Sequence, residues 1–283
     1  MKTKSASNNP AKPKNDQKPT NPGRLTVRKT PIKKTDMIPD TPKSELPPAN
    51  QLQKVVFGGS LYQKTINRFF YSFLFKFIPR KLKFKLIYHF NLWSSPESIS
   101  GPGSELLQTL RVKEFLTRFI KEYQIKSILD IPCGDFNWMK TMDLNGVDYL
   151  GGDIVEKIIE ANNKTFKKEN IRFEVMDIIG GKLIAADLII VRDLLIHFSV
   201  GNIHATIANV KRSRIKYILV STYPDSKVNK SIRDGYNFNI NLQIAPFNFG
   251  KPLFLIEEMK DDNLERKCVG LWKVEDLITV QPS

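Results

Sequence analysis

Short apolar segments alternate with longer segments of helical periodicity from residue 105 onward, and this alternation constrains the fold more than any other feature. Strands that alternate with helices form a parallel sheet with helices on both faces. The strands are predicted, in chain order, at Ser127–Ile131, Asp148–Ile154, Ile171–Met176, Leu188–Val191, Lys216–Thr222, Pro252–Glu257 and Cys268–Val274. Only a polar loop separates the last two strands, which is too short for a parallel crossover, so they are expected to pair as an antiparallel hairpin. The sequence predicts an α/β protein with a doubly wound, mostly parallel seven-stranded sheet.

The expected helices follow from apolar spacing and from capping residues. Leu106 and Leu110 begin a helical pattern, and Ser104 is expected to cap the helix that they define. A second helix is predicted after the turn at residues 132–135, and a third at Val155–Lys168.

Basic residues are concentrated before the predicted sheet. Residues 1–50 contain eleven Lys/Arg and four Asp/Glu, residues 51–92 contain eight Lys/Arg and no acid, and residues 93–283 contain 25 of each. The whole net charge of +15 therefore belongs to the first 92 residues. Residues 1–50 have almost no clustered apolar side chains, a composition typical of disorder. We divide the chain into a disordered basic tail (1–50), a basic amphipathic helical segment (51–92) and a neutral globular domain (93–283).

The part of the basic segment at residues 61–92 combines aromatic and aliphatic side chains with Arg and Lys. Its longest apolar run, Phe69–Ile78, is too short to span a bilayer and contains Lys76. Pro79 is expected to divide the segment into two short helices. Two interpretations are open. The helices lie on an anionic membrane surface, or they pack their aromatic side chains on the domain, which is favoured because most amphipathic helices contribute to a core.

Cys133 and Cys268 are the only cysteines. Two distant cysteines provide no disulfide framework, and with three scattered histidines they predict no metal site. The first residues lack the apolar core of a signal peptide. These features favour an intracellular, cytoplasmic protein, peripheral at a membrane if the basic segment binds lipid.

Acidic residues follow four consecutive predicted strands at one edge of the sheet. Asp130 and Asp135 flank the exit of the first strand, and Asp153, Asp177 and Asp193 follow the next three. Doubly wound sheets bind ligands at the carboxyl ends of their strands, beside the topological switch. One such acid is as often a structural group as a functional one, but the set predicts a functional site at this edge.

The segment Ser127–Trp138 (SILDIPCGDFNW) resembles the first motif of class I S-adenosylmethionine-dependent methyltransferases, and the resemblance extends over about residues 93–276. It implies a Rossmann-like fold whose last strand is antiparallel and lies between its two neighbours, with S-adenosylmethionine as cofactor. It also implies that Asp153 accepts hydrogen bonds from the ribose hydroxyls. The implied cofactor-binding residues are Ser104, Thr109, Asp130, Pro132, Gly134, Asp135, Trp138, Asp153, Ile154, Asp177, Ile178 and Arg192, with Asp177 and Ile178 at the adenine.

The motif departs from the usual glycine-rich turn, since only Gly134 remains of its glycines. The Pro-Cys-Gly-Asp-Phe-Asn-Trp variant, preceded by residues 97–104 (ESISGPGS) and Thr109, resembles a methyltransferase subfamily in which some members are fused to, or encoded beside, enzymes that build glycans. The resemblance implies a small-molecule or glycan acceptor. Residues 100–104 are expected to fold over the cofactor at a helix N-terminus, where free N–H groups suit a carboxylate; the alternative is a plain loop with a helix cap.

Asp193 and His197 follow the fourth strand, where methyltransferases of this class present groups to the acceptor. If a helix begins there, residues four apart share one face. A neutral hydroxyl is a poor nucleophile without a base, and imidazole accepts protons near neutral pH. Asp193 and His197 are therefore the predicted catalytic residues, against the alternative that His197 only packs in the core.

Three functions remain open from the sequence. The first is methyl transfer from S-adenosylmethionine to a hydroxyl of a sugar or glycan, for which the Asn and aromatic residues of 229–250 offer suitable contacts, although they also suit RNA bases or an ordinary lid. The second is an RNA methyltransferase whose basic arm holds phosphates, which the neutral domain disfavours. The third is a non-catalytic module tethered to a membrane by the basic segment.

Overall fold

A computed structural model describes residues 77–258 and 265–277. The predicted disordered tail (1–50) and the basic segment up to residue 76 lie outside the described residues.

The described residues form one seven-stranded sheet in the order β3-β2-β1-β4-β5-β7-β6. The strands are β1 (Ser127–Asp130), β2 (Asp148–Asp153), β3 (Ile171–Val175), β4 (Leu188–Val191), β5 (Tyr217–Thr222), β6 (Phe254–Glu257) and β7 (Cys268–Lys273). Strands β1 to β5 pair in parallel, and β7 pairs antiparallel with both β5 and β6. The doubly wound Rossmann-like sheet, the hairpin and the position of the last strand between its neighbours are all as predicted.

Four helices cover the described sheet: α1 (Arg80–Phe90), α2 (Leu106–Glu122), α3 (Glu156–Phe166) and α4 (Val200–Arg212). The central strands are apolar on both faces because each face is buried by a separate cluster of side chains. Leu129 of β1, for example, packs on the side of α1 and α4, whereas its neighbour Ile128 packs on the side of α2.

The order of the strands places a topological switch between β1 and β4. From β1 the chain proceeds outward through β2 to β3 and then returns to β4 on the other side of β1. The loops after these two strands therefore diverge and leave a crevice at the carboxyl edge of the sheet.

Two predicted helical features are wrong. The segment between β1 and β2 has a single 3₁₀ turn, Met139–Thr141, in place of the predicted helix, because Gly134 and Phe136 turn the backbone with positive φ angles of 54° and 59°. Ser104 does not cap α2: the Glu97 carboxylate accepts the hydrogen bond of the Leu106 N–H at 2.8 Å. Glu97 lies nine residues before Leu106, outside the usual local capping positions, so the capping pattern did not reveal it.

Helix α1 begins directly after Pro79, as the sequence predicts. Its residues Phe84 and Ile87 are buried in the core that also includes β1 and α4. On its outer side, Lys81 and Lys85 both pair with Glu156, at 2.8 and 2.6 Å. The described part of the basic segment, residues 77–92, thus packs on the domain, which is the interpretation that the sequence favoured.

Length and polarity exclude a membrane-spanning role for every helix within the described ranges.

Candidate active site

A cleft opens at the carboxyl edge of the sheet, over the crevice between β1 and β4. It encloses about 920 Å³, part of which is open to solvent. The loops after β1, β2, β3 and β4 line one part of the cleft, and helix α1 with Trp93 lines another.

The structure brings most of the predicted site residues into this cleft. The ones that line it are Ser104, Asp130, Pro132, Gly134, Trp138, Asp153, Ile154, Asp177, Ile178, Arg192, Asp193 and His197. Thr109 and Asp135 do not line it. The Thr109 hydroxyl is fully buried and donates to the carbonyl of Glu105 at 3.0 Å, so this side chain belongs to the packing of α2.

Asp135 holds the loop at residues 98–100 against the turn that follows β1. Its carboxylate accepts hydrogen bonds from the hydroxyls of Ser98 and Ser100 and, at 2.9 Å, from the N–H of Ile99. Asp135 therefore positions one wall of the cleft.

Gly134 is the residue that lets this wall approach the turn. Its φ angle of 54° favours glycine, and a Cβ there would lie 2.1 Å from the Ser100 Oγ. The positive φ angle and the close approach of Ser100 thus explain why glycine is required at this position, independently of any ligand.

Asp153 ends β2 with a buried carboxylate. One oxygen accepts from the Val155 N–H at 2.9 Å and the other from the Gly134 N–H at 3.3 Å. Burial raises the pKa of Asp153 to about 6, against the lowering effect of these donors. Near neutral pH the group is an ionised acceptor that faces the cleft.

Asp130 ends β1 and is also buried. The Tyr149 hydroxyl donates to its Oδ2 at 2.7 Å. Burial raises the pKa of Asp130 to about 7, although the Tyr149 hydrogen bond and the charge of Arg192 lower it. The two buried strand-end acids therefore retain protons to a higher pH than exposed aspartates do.

Asp177, just beyond β3, forms an ion pair with Arg80 of α1. Its other oxygen, Oδ1, accepts from the Ile179 N–H at 3.0 Å. The neighbouring Ile178 is buried beside it. The predicted adenine pair is thus assembled at the cleft together with a cation that the sequence reasoning did not assign to the site.

Arg192 and Asp193, which follow β4, belong to a network of charges. Arg192 donates through Nε to Glu258 at 2.7 Å, and its Nη2 is buried without a hydrogen-bond partner in the described residues. Lys267 contacts both Asp193 and Glu258, at 2.6 and 2.8 Å. The Ser221 hydroxyl donates to the second oxygen of Asp193 at 2.9 Å.

This network changes the chemistry of Asp193. Burial alone would raise its pKa, but the charges of Lys267 and Arg192 hold the pKa of Asp193 well below its usual range. Gly103 packs over it so closely that a Cβ there would lie 2.3 Å from the Asp193 Oδ2. A carboxylate that is paired and covered in this way is a weak proton acceptor.

His197 ends a 3₁₀ turn, and its ring lines the cleft. The carbonyl of Tyr236 lies 2.9 Å from the imidazole Nδ1, which fixes Nδ1 as the donor in the neutral ring and leaves Nε2 as the acceptor. Trp93 stacks on the ring at a centroid distance of 5.5 Å. Burial lowers the pKa of His197.

The expected pairing of Asp193 with His197 is not formed. A 3₁₀ turn lies where a helix would have placed the two residues on one face, and Asp193 itself has a φ angle of 53°. No hydrogen bond joins the two side chains in the described structure. The Tyr236 carbonyl orients the imidazole in the place where the sequence suggested an acid.

The long segment at residues 229–250 was expected to offer amide groups to a ligand. Instead, Asn241 donates to the carbonyls of Pro224 and Ser226, and Asn229 donates to the carbonyls of Asn241 and Ala245. These amides hold the loop itself together. Its described contribution to the site is the Tyr236 carbonyl.

Sequence reasoning missed a group of residues in or beside the cleft. Arg80, Phe84, Tyr88 and Trp93 line it, and Glu258 and Lys267 contact Arg192 and Asp193. The first three are spaced four apart after Pro79, which places them on one face of a helix. This spacing was the available signal; Trp93 follows shortly after that helix, whereas Glu258 and Lys267 lie far along the chain.

Neither a protein-family model nor a curated protein matches the chain. Among solved structures, it is similar to a magnesium protoporphyrin IX methyltransferase from Synechocystis PCC 6803 with bound SAH, with 13% identity over 75% of this chain and 99% of that one and a TM-score of 0.45. It is also similar to the methyltransferase domain of bacterial CtHen1-C (16% identity, 59% and 98% covered, TM-score 0.44). A third structure is the N-methyltransferase NodS from Bradyrhizobium japonicum WM9 (12% identity, 57% and 93% covered, TM-score 0.41). Each is a likeness of fold only.

Proposed function

We propose that this protein is a class I S-adenosylmethionine-dependent methyltransferase. One observation carries the proposal: two buried strand-end carboxylates and a glycine turn lie in the same cleft. The cleft is at the topological switch of the β3-β2-β1-β4-β5-β7-β6 sheet. The two carboxylates are those of Asp130 and Asp153, only 3% and 6% exposed. Buried carboxylates that face a cleft and form no ion pair within the described residues are costly, and a ligand that donates hydrogen bonds offsets that cost.

The residues present fit the cofactor. Asp153 would accept from the ribose hydroxyls, since an ionised carboxylate accepts two hydrogen bonds well. Asp177 and Ile178 would hold the adenine, one by hydrogen bonding and one by packing. The buried Nη2 of Arg192, which has no partner among the described residues, would donate to the carboxylate of the methionine part. When bound, the cofactor supplies an electrophilic methyl group on a sulfonium.

The acceptor in this proposal is a hydroxyl, and His197 removes its proton. The Tyr236 carbonyl keeps the proton of the neutral imidazole on Nδ1, so Nε2 is available to accept another. Because burial lowers the pKa of His197, the ring is neutral at physiological pH. The aromatic faces of Trp93 and Phe84 beside it suit a sugar ring or another small molecule, and a glycan hydroxyl is the acceptor that we propose.

Binding of S-adenosylmethionine tests the cofactor assignment. Asp153→Ala is expected to weaken binding by about 1.5–3 kcal/mol through the loss of charge-assisted hydrogen bonds. The matched control is Asp148→Ala, at the exposed opposite end of the same strand, which should leave the affinity unchanged. Isothermal titration calorimetry measures both. Equal affinities for wild type and Asp153→Ala would place the ribose elsewhere.

The acceptor class requires a separate experiment. The protein is incubated with methyl-labelled cofactor and a lysate, and the glycan, RNA and protein fractions are separated. Label in the glycan fraction supports the proposed acceptor. Label in the RNA fraction instead would assign the protein to the RNA methyltransferases, with the basic residues before the domain as the phosphate-binding arm.

A further inference from the structure

Helix α1 contributes a fixed cation to the cleft at the end where the adenine is proposed to bind. The Arg80 Nη2 donates to the Asp177 Oδ2. The guanidinium also lies over the ring of Phe198, with 5.5 Å between Cζ and the ring centroid. Only 18% of the Arg80 side chain is exposed, so the cation is held in place and is not a freely solvated surface charge.

The contacts of Asp177 leave its carboxylate in one orientation. Arg80 takes Oδ2, and the Ile179 N–H donates to Oδ1 at 3.0 Å. The side chain is 37% exposed, so without Arg80 only the Ile179 hydrogen bond would oppose its rotation toward solvent. Each carboxylate oxygen has a second lone pair that can accept a further hydrogen bond, and Asp177 lines the cleft.

The neighbouring Lys83 ties the same helix to the proposed catalytic side of the cleft. Its Nζ donates to the carbonyl of Asp234 at 2.7 Å. The Asp234 carboxylate accepts from the Ser199 N–H at 2.7 Å, and Tyr236 follows two residues later with the carbonyl that binds His197. Helix α1 therefore contacts both the acid beyond β3 and the loop that orients the histidine.

We propose that Arg80 is a positioning residue that sets base specificity. It holds the Asp177 carboxylate so that a purine with an exocyclic amine is bound more tightly than a purine with a hydrogen at the same position. The physical reason is that an ionised carboxylate only accepts hydrogen bonds. A ligand amine donates to it, whereas a ligand without the amine leaves the carboxylate without this donor. This inference rests on the proposed function.

The test compares two ligands that differ at that position only. S-adenosylhomocysteine has the amine, and its purine riboside analogue has a hydrogen in its place. Wild type, Arg80→Met, Asp177→Asn and the double variant are titrated with both ligands. The control is Lys81→Met, which removes the same charge from the same helix at a residue that pairs with Glu156 outside the cleft.

Wild type is expected to prefer the adenosyl ligand by about tenfold or more, as the loss of one hydrogen bond to a charged group requires. Arg80→Met should show a smaller preference, equal to that of Asp177→Asn. The double variant should show the same preference as either single variant. Lys81→Met should keep the wild-type preference.

Two outcomes would overturn the inference, and they differ from each other. If Arg80→Met weakens both ligands equally and keeps the preference, Arg80 only anchors α1. If wild type binds neither ligand, the proposed function fails and this inference fails with it.

Discussion

Three aspartates at the ends of adjacent strands have different properties because their surroundings differ. Burial raises the pKa of Asp130 to about 7 and that of Asp153 to about 6. Asp193 is only partly buried, with 22% of its side chain exposed, and Lys267 and Arg192 hold its pKa below its usual range. Only a group whose charge is not already neutralised gains much from a ligand, so the first two are the better binding groups.

The first prediction at this scale concerns the base. His197→Ala should lower turnover by about a hundredfold or more while cofactor affinity stays nearly constant. His204→Ala is the control, since this second histidine lies on α4 beside Phe247 and outside the cleft. Wild-type turnover in His197→Ala with the true acceptor would make His197 a packing residue.

The pH dependence distinguishes His197 from Asp193 as the base. A base acts when deprotonated, so activity should fall as the pH drops through the pKa of His197, which burial places below its ordinary value. If Asp193 were the base, the loss of activity would occur only at a much lower pH, because the pKa of Asp193 is depressed. Asp193→Asn is expected to reduce activity as well, through the loss of the Lys267 contact that holds the site together.

Asp130 leads to a prediction about stability. Its pKa is about 7 in the folded state and about 4 when unfolded, so the folded state binds the extra proton between these values and stability falls as the pH rises through this window. Asp130→Asn removes the cost of burying the charge and keeps an acceptor for Tyr149. Without cofactor, the variant should be more stable than wild type at pH 8 by about 1–3 kcal/mol, and the gain should shrink at pH 5.

Thermal unfolding of both proteins at the two pH values measures this effect. A variant that is less stable than wild type at pH 8, or a gain that grows as the pH falls, would contradict the sign of the argument. A more stable protein that binds cofactor less well would show that Asp130 is retained for binding rather than for folding.

At the scale of the element, helix α1 is part of the domain rather than an appendage. Ile87 is 1% exposed and packs in the core under the sheet, whereas Phe90 on the same helix is 48% exposed. Ile87→Ala should cost about 2–4 kcal/mol of unfolding free energy because it leaves a cavity. Phe90→Ala should change it by no more than about 0.5 kcal/mol.

Chemical denaturation measures both variants of α1. Equal losses would mean that the helix does not dock as described. The result also bears on the membrane hypothesis, because Lys81 and Lys85 pair with Glu156 and are less available to anionic lipid than free lysines. Any lipid binding by the segment 61–92 is therefore expected to depend on the residues before Pro79.

At the scale of the whole molecule, the charge is divided between a basic first part and a neutral remainder. Deleting residues 1–50 should leave the melting temperature and the cofactor affinity unchanged, because this part has few apolar side chains to bury. Calorimetry of the truncated and full chains checks both quantities. A lower affinity after truncation would show that the tail reaches the cleft.

Vesicle flotation and RNA binding of the same two proteins report on partners of the basic part. Binding that disappears with residues 1–50 would assign it to the tail, and binding that persists would assign it to residues 51–92. In either case the binding should weaken with salt, since eleven and eight basic residues respectively carry it.

The sequence by itself determined the strands, their alternation with helices and the edge at which the acids gather, because these depend on local periodicity and on the chain order of the elements. It could not determine which acid is paired, since Lys267 and Glu258 lie far along the chain from Asp193. Nor could it reveal the hydrogen bond between the Tyr236 carbonyl and His197, because every residue has a backbone carbonyl whatever its side chain. Those contacts join segments distant in sequence, so only the tertiary structure decided the charge of each acid, the tautomer of the histidine and the entry of Arg80 into the cleft.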